Sequence, residues 1–368
     1  MKKIVYLLVC FLLCIGIGGS AFILYKNLGL GDDKQTTQSG DVIIDDGKDG
    51  VTDFEEPPAD SSGNGSSDGS DDTQTELTPP ADETSYIAEG MTMLAGASVY
   101  MGDDETLDPA IRFTCLIDNE LKAEVEADEN KSLAILVAPL DYFEAVNENK
   151  TTYIDWVNAF AEAEKTVIMS VFDGYGTYND YTSYMRFTLA NVLFNNMNRR
   201  FVAMGVLIDN SSGTPTYKYS AMPDGTTYRT NARSVAYVAG AALNAHAMGL
   251  ETFTEARAAK LRTYIDMAID QANGLSAHTN NGDMPEVTIT SSRSVTMALN
   301  STHTIQGTVE PLNVDIPARF VSSNENVATV SESGVIYARG YGSATITLYI
   351  AGEAYTISVT CSSNVQYM

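Results

Sequence analysis

The residues best suited to recognition chemistry are four tyrosines within ten positions, with the chain's single tryptophan upstream: Tyr175, Tyr178, Tyr181, Tyr184 and Trp156. Their flat apolar ring faces can stack on sugar rings or on the loops of a protein partner, and the tyrosine hydroxyls can form hydrogen bonds. Acidic and amide residues flank the tract and suit sugar hydroxyls. This pattern predicts a binding site made of Trp156, Tyr175, Tyr178 and Tyr181.

An alternative is that the same rings pack in the protein interior. A spacing of three residues fits neither the stripe of a helix nor one face of a strand. Tyr184 adjoins a predicted strand and is expected to be a core residue. The sequence leaves both interpretations open for the tract.

No catalytic residues are predicted. The chain has three histidines, His246, His278 and His303, and none lies in an HExxH or triad-like motif. No GxSxG sequence lies between a predicted strand and a predicted helix, as a nucleophile elbow requires, and no phosphate-binding glycine loop follows a predicted strand. We therefore expect a protein that is not an enzyme and that uses no cofactor.

One acidic segment, residues 45–56, partly resembles a calcium-binding loop. It has oxygen-bearing residues at loop positions 1, 5, 9 and 12 and Gly50 at position 6. However, Gly47 occupies position 3, Lys48 occupies position 4, and no helical pattern flanks the loop. The segment is interpreted as solvated acidic linker, and no metal site is predicted.

The net charge of −26 limits the classes of partner. Nucleic-acid backbones are bound mainly through lysine and arginine, which release counterions, so an acidic surface disfavours nucleic acid. About −14 of the charge lies in residues 31–84. That segment is rich in Asp, Ser, Gly, Thr and Pro, and is predicted to be a disordered linker.

The first 30 residues form an export signal of one of two kinds. Lys2 and Lys3 precede an uncharged apolar run at 4–25, long enough as a helix to cross a bilayer. A cleaved signal peptide is the alternative, with residues 19–21 as its cleavage site. We favour a retained anchor, because the run resumes beyond residue 21. Both interpretations place the rest of the chain outside the cytoplasm.

Residues 85–282 are predicted to form an α+β domain that is rich in strands and ends in a helical hairpin. Strand-like runs occur at 110–117, 132–138, 166–172, 184–192, 200–208 and 216–220. Helical spacing occurs at 154–161 and in two later stretches, one before Gly249 and one between Thr254 and Gly274. Segments at 96–99, 111–113, 134–139 and 233–236 resemble an uncharacterised domain of secreted clostridia-like surface proteins. That resemblance implies no activity.

Residues 285–361 are predicted to form an all-β sandwich. Apolar residues alternate at 295–299, 346–350 and 355–359, and turn-rich breaks separate about seven short strands. The motifs FVSSN (320–324), VATVS (327–331), SGVI (333–336) and GYGSATI (340–346) resemble the bacterial immunoglobulin-like group 2 domain. Phe320 stands where that family often has tryptophan. The resemblance implies a spacer or contact module of surface proteins.

Together, these features predict a multi-domain, membrane-tethered bacterial surface protein, of Gram-positive type. Its expected role is noncatalytic binding or adhesion to a polysaccharide or a protein partner at the cell surface. The alternative is a structural or assembly component of the cell envelope that has no ligand of its own.

Overall fold

The computed structural model describes residues 83–100, 109–147, 153–172, 174–223 and 226–363, together with the backbone of a short strand at 23–26. The apolar run up to residue 22, most of the acidic linker and the calcium-like loop lie outside the described residues. Within the described part of the chain, no helix is long and apolar enough to cross a membrane. The membrane anchor and the linker remain predictions.

Residues 83–282, here called the head, form one ten-stranded sheet with strand β1 and carry five helices. In chain order the elements are β1 (Ile23–Lys26), β2 (Ile87–Met93), β3 (Ser98–Tyr100), β4 (Ala110–Asp118), α1 (Asn119–Ala127), β5 (Lys131–Pro139), α2 (Leu140–Val146), α3 (Trp156–Glu162), β6 (Ile168–Phe172), β7 (Gly176–Thr177), β8 (Thr182–Leu189), β9 (Phe201–Asp209), β10 (Thr216–Ala221), α4 (Val235–Ala247) and α5 (Glu255–Ala272). The strand order is β1-β6-β5-β9-β10-β2-β4-β8-β7, and β3 pairs with β4.

The sheet curls strongly. Strands β9 and β4 are three positions apart in the order, which corresponds to about 14 Å across a flat sheet. Yet a Cβ atom built on Gly205 of β9 would lie only 2.6 Å from Sγ of Cys115 in β4. The curl encloses buried side chains from both strands, and Gly205 allows this close approach.

The N-terminal strand differs from the sequence prediction. Residues 23–25 were predicted to end the membrane helix, whereas β1 pairs in parallel with β6 at the sheet edge. Ile, Leu and Tyr favour extended backbone as readily as a membrane helix, so the residue types do not separate the two.

Both helices of the predicted hairpin begin at side-chain caps. Ser234 accepts a hydrogen bond from the Tyr237 amide in α4, and Thr254 accepts one from the Arg257 amide in α5. Gly249 and Gly274 follow the two helices with φ of 72° and 79°, a conformation that favours glycine. The two helices pack against each other.

Residues 286–361, here called the sandwich, contain nine strands in three small sheets. They are β11 (Glu286–Ile289), β12 (Ser294–Met297), β13 (Thr302–Thr304), β14 (Gly307–Glu310), β15 (Ala318–Ser322), β16 (Ala328–Val330), β17 (Val335–Ala338), β18 (Gly342–Ile350) and β19 (Glu353–Cys361). The largest sheet has the order β12-β19-β18-β15, β17 lies between β13 and β16, and β11 pairs with β14. Ile346, Ile357 and Val359 are buried in its core, as their alternation predicts.

The head and the sandwich share part of one hydrophobic core. Leu348, Ile350 and Ala351 of the sandwich are buried together with the residues of the head core. On helix α4, a Cβ atom built on Gly240 would lie 2.9 Å from Cγ2 of Ile316. The boundary near residue 284 therefore separates the sheets, but three sandwich residues belong to the head core, and the sandwich also has a second core of its own.

Candidate binding surface

The tyrosine tract forms a β-hairpin at the end of the head sheet opposite to β1. Strand β7 pairs with β8 through Gly176 opposite Tyr184 and Thr177 opposite Ser183. The amide of Tyr178 donates to the carbonyl of Thr182 at 2.9 Å and continues the hairpin toward its turn. The sequence analysis did not identify this hairpin, although Asn179-Asp180 is a recognised turn signal.

The hairpin turn is held by hydrogen bonds from its own residues and from helix α1. The side-chain oxygen of Asn179 accepts from the Tyr181 amide at 2.9 Å. Asn119 donates its backbone amide to the Tyr181 carbonyl at 3.0 Å and its side-chain amide to the Asp180 carbonyl at 3.1 Å. Ser183 also donates to the Asn119 side chain. The turn is therefore ordered before any ligand arrives.

The four tyrosines differ in how open their rings are. Tyr181, at the turn, is 81% exposed, whereas Tyr175 and Tyr178 are partly buried. Tyr175 packs against the head core, and the Lys122 ammonium lies 5.7 Å from its ring centre. The Arg186 guanidinium lies 4.1 Å from the Tyr184 ring centre.

The Tyr184 ring also lies against Gly176, where any side chain would overlap it. Tyr184 is therefore partly covered by its neighbours, but it lies on the outer face of β8 and is not the core residue that was expected. Tyr181 presents the most accessible ring of the tract. Tyr175 and Tyr178 are partly buried, so their rings are not equally open to stacking.

The prediction that Trp156 belongs to the binding site is wrong. Its side chain is fully buried, and its ring lies 4.3 Å from the ring of Phe143 and 6.0 Å from that of Phe160. Tyr228 also contacts Phe143, which completes an aromatic cluster under helix α3. The sequence shows residue type but not burial, so an interior tryptophan was grouped with surface tyrosines.

The sequence analysis did not identify a largely buried group of three ionisable residues. Ligand atoms of Asp266, Asp270 and His278 lie within 4.8 Å of one another. The signal was present as two aspartates four residues apart beside the apolar stripe of α5. Asp266 accepts the amides of Gly282 and Asp283, both at 2.8 Å. These bonds engage both of its oxygens.

Asp270 is held by the same connecting segment. It accepts from the Thr279 amide at 2.7 Å, from the Thr279 hydroxyl at 2.9 Å, and from Nδ1 of His278 at 3.0 Å. Burial acts to raise the pKa of Asp270, but these hydrogen bonds outweigh it, and the pKa lies below its ordinary value. The cluster is accounted for as an anchor that fastens residues 278–283 to α5.

Replacing Asp270 with Asn is expected to make unfolding less sensitive to acid. Since the pKa of Asp270 is lower in the folded chain than in the unfolded chain, the carboxylate stabilises the fold above about pH 4. That stabilisation is lost as the pH falls through the folded-state pKa. Denaturant unfolding measured from pH 6 to pH 2 should therefore show a steeper loss for the wild type than for Asp270→Asn.

The exposed Asp283→Asn is the control for that comparison, because Asp283 contributes only its backbone amide to the anchor. It should retain the acid dependence of the wild type. Equal acid slopes for Asp270→Asn and the wild type would show that Asp270 does not couple folding to pH.

The other two histidines, His246 and His303, contact neither the hairpin nor each other in the described part of the chain. Nδ1 of His246 lies 3.2 Å from the Glu251 carbonyl, and its ring stacks on Phe253. His303 lies in strand β13 of the sandwich. Among the described residues, neither histidine is hydrogen-bonded to a serine or cysteine side chain.

Comparison with known proteins does not assign a function to this surface. No protein-family model and no curated protein matches the chain. One similar solved structure is an intimin mutant of EHEC O157:H7, with 15% identity and a TM-score of 0.17, covering 22% of this chain and 48% of that chain. Another is a mutated three-immunoglobulin-domain structure of titin, with 8% identity and a TM-score of 0.18, covering 74% and 61%.

The chain thus spans about half of the intimin chain and about three fifths of the titin chain. Both neighbours are weak matches to an immunoglobulin-like fold, and at these TM-scores neither supports an argument about function. No family model confirms the group 2 assignment, so residues 285–361 retain only a resemblance to it.

Proposed function

We propose that this chain is a noncatalytic bacterial surface protein that binds a glycan or a protein partner outside the cell. The observation that carries the proposal is the β7–β8 hairpin, which holds the open ring of Tyr181 on a turn fixed by Asn119. A ring presented on an ordered turn loses little conformational freedom when a ligand stacks on it. Membrane anchoring by the apolar N-terminal segment is part of the same proposal.

The sandwich is proposed to be a bacterial immunoglobulin-like group 2 domain. Its support is the motif order in the sequence and the place of Phe320, a partly buried residue that packs against both hydrophobic cores. Gly334, with φ of 76°, lies against the Phe320 ring. A large aromatic at this position is what the family resemblance implies.

Replacing Tyr181 with Ala is expected to weaken ligand binding by about 1–3 kcal/mol, or about 5- to 150-fold, as loss of an interface aromatic does. Because Tyr181 is 81% exposed, its loss should change the free energy of unfolding by less than about 0.5 kcal/mol. Binding would be measured on an array of bacterial and plant polysaccharides and on cell-wall fragments, using the full chain.

The matched control is Tyr341→Ala, which removes a tyrosine that is 63% exposed on the sandwich. It should leave both binding and stability unchanged. Equal binding by wild type and Tyr181→Ala would exclude the hairpin as the contact surface. Failure of the wild type to bind any surface component would favour the alternative of a structural envelope component.

A further inference from the structure

A groove of about 620 Å³ lies where the head meets the sandwich, and both units line it. The head contributes residues around the start of α2 and the segment before β9, and the sandwich contributes the loop between β14 and β15. The lining residues that matter here are Asp141, Glu144, Arg199, Arg200, Asn313 and Asp315. Ligand sites commonly form at such junctions.

Every charged side chain that lines the groove is paired with an opposite charge. Arg199 donates through Nε and Nη2 to the two oxygens of Asp141, at 2.9 and 2.7 Å. Arg200 makes the same two contacts to Asp315, at 2.9 and 2.7 Å. Glu144 pairs with an arginine beside the groove, Arg229, at 2.8 Å. These residues therefore leave no unpaired charge in the wall, and Leu140, Leu312 and Val314 add apolar surface to it.

The groove depends on the sandwich loop being held against the head. Asn198 accepts the Asp315 amide at 2.9 Å, and its side-chain amide donates to the Ala268 carbonyl at 2.7 Å. This asparagine and the Arg200–Asp315 pair therefore fix the loop from both sides. Leu312 and Asn313 at the tip of that loop are exposed and form the outer wall.

We propose that this groove binds a neutral oligosaccharide. Each bidentate pair leaves further lone pairs on its carboxylate and further N–H groups on its guanidinium, and these can bond to sugar hydroxyls. Since the charges are already paired, an anionic or cationic ligand would lack a counter-charge in the wall and would have to break an existing pair. The inference rests on the proposed binding function and gives it a second site, separate from Tyr181.

The test uses the full chain, kept in solution with a detergent that has no sugar headgroup. Saturation-transfer NMR and calorimetry would measure binding of cellohexaose, maltohexaose, xylohexaose, mannohexaose and chitohexaose, with hexagalacturonic acid as the charged comparison. We expect at least one neutral hexasaccharide to bind and the charged one not to bind. Asn313→Leu, which partly fills the groove from an exposed position and adds no ring that could stack on a sugar, should weaken binding by at least tenfold.

Asp141→Asn is the second groove variant, because Asp141 is 59% exposed and its pair with Arg199 contributes little to stability. It should weaken binding by about tenfold, which corresponds to losing a hydrogen bond to a charged acceptor. Asp283→Asn, an exposed aspartate that does not line the groove, is the control and should bind like the wild type.

The groove proposal is wrong if no neutral hexasaccharide binds, if both groove variants bind like the wild type, or if hexagalacturonic acid binds equally well. The hairpin is judged separately with Tyr181→Ala. Loss of binding in Tyr181→Ala but not in Asn313→Leu would overturn the groove and leave the proposed function in place. Binding of a protein partner through Tyr181, without any sugar binding, would do the same.

Discussion

Replacing Trp156 with Ala is expected to lower the free energy of unfolding by about 3–5 kcal/mol. Trp156 is fully buried and stacks with Phe143 and Phe160, so its removal leaves a large cavity beneath α3. Its Nε1 has no hydrogen-bond partner among the described residues, which means that the contribution is apolar packing. Denaturant unfolding followed by circular dichroism measures the change without relying on tryptophan fluorescence.

Two comparisons sharpen this test. Trp156→Phe should cost clearly less than Trp156→Ala, because phenylalanine keeps most of the ring contacts and no indole hydrogen bond is lost. Tyr181→Ala, which removes an exposed ring, should have almost no effect on stability. A loss below about 1 kcal/mol for Trp156→Ala would mean that the ring is not a core residue, and the tryptophan would return as a candidate for ligand contact.

Replacing Asn244 with Ala is expected to destabilise the chain by about 2–4 kcal/mol. Asn244 is 1% exposed on α4, donates to the Pro317 carbonyl at 3.1 Å and accepts the Gly352 amide at 2.9 Å. Alanine would leave two partly buried backbone groups of the sandwich unpaired, and an unpaired group that is shielded from water costs about 1–3 kcal/mol. Calorimetric unfolding of the full chain measures the total and shows how many transitions occur.

The same substitution tests whether the head and the sandwich unfold together. Because they share a core, the wild type should unfold in one transition, and Asn244→Ala should lower its midpoint or divide it into two. Asn273→Ala, at an exposed position after α5, is the matched control and should change the midpoint little. Two transitions already in the wild type would show that the shared core does not couple the two units.

Regular elements with a clear hydrophobic period could be predicted from the sequence. The run at 110–117 became β4, and Thr254 and Gly274 bounded α5 as expected. Apolar periodicity and cap chemistry are local signals, so one segment contains the information. The hairpin strand β7 has only two residues, and nothing periodic marks it. Its position depends on pairing with β8.

The candidate site was harder to predict because it depends on which side of the fold a ring faces. Tyr181 and Trp156 are both aromatic residues near turns, but one is exposed and the other lies under α3. Burial results from contacts with distant residues, such as Phe143 for Trp156, that no local pattern shows. The junction groove joins Asp141 to the Asn313 loop across the chain, so it was also beyond local analysis.

The position of strand β19 has a consequence for how the chain folds as it emerges during synthesis or export. β19 lies inside its sheet, where it pairs with β18 and, in parallel, with β12, which precedes it by more than 60 residues. The contact between Asn244 and Gly352 spans 108 residues. Such long-range contacts form late, since loop closure must come first. Until β19 emerges, the sandwich cannot close and the face of α4 around Asn244 stays uncovered, so an incomplete chain is the form most open to proteases and aggregation.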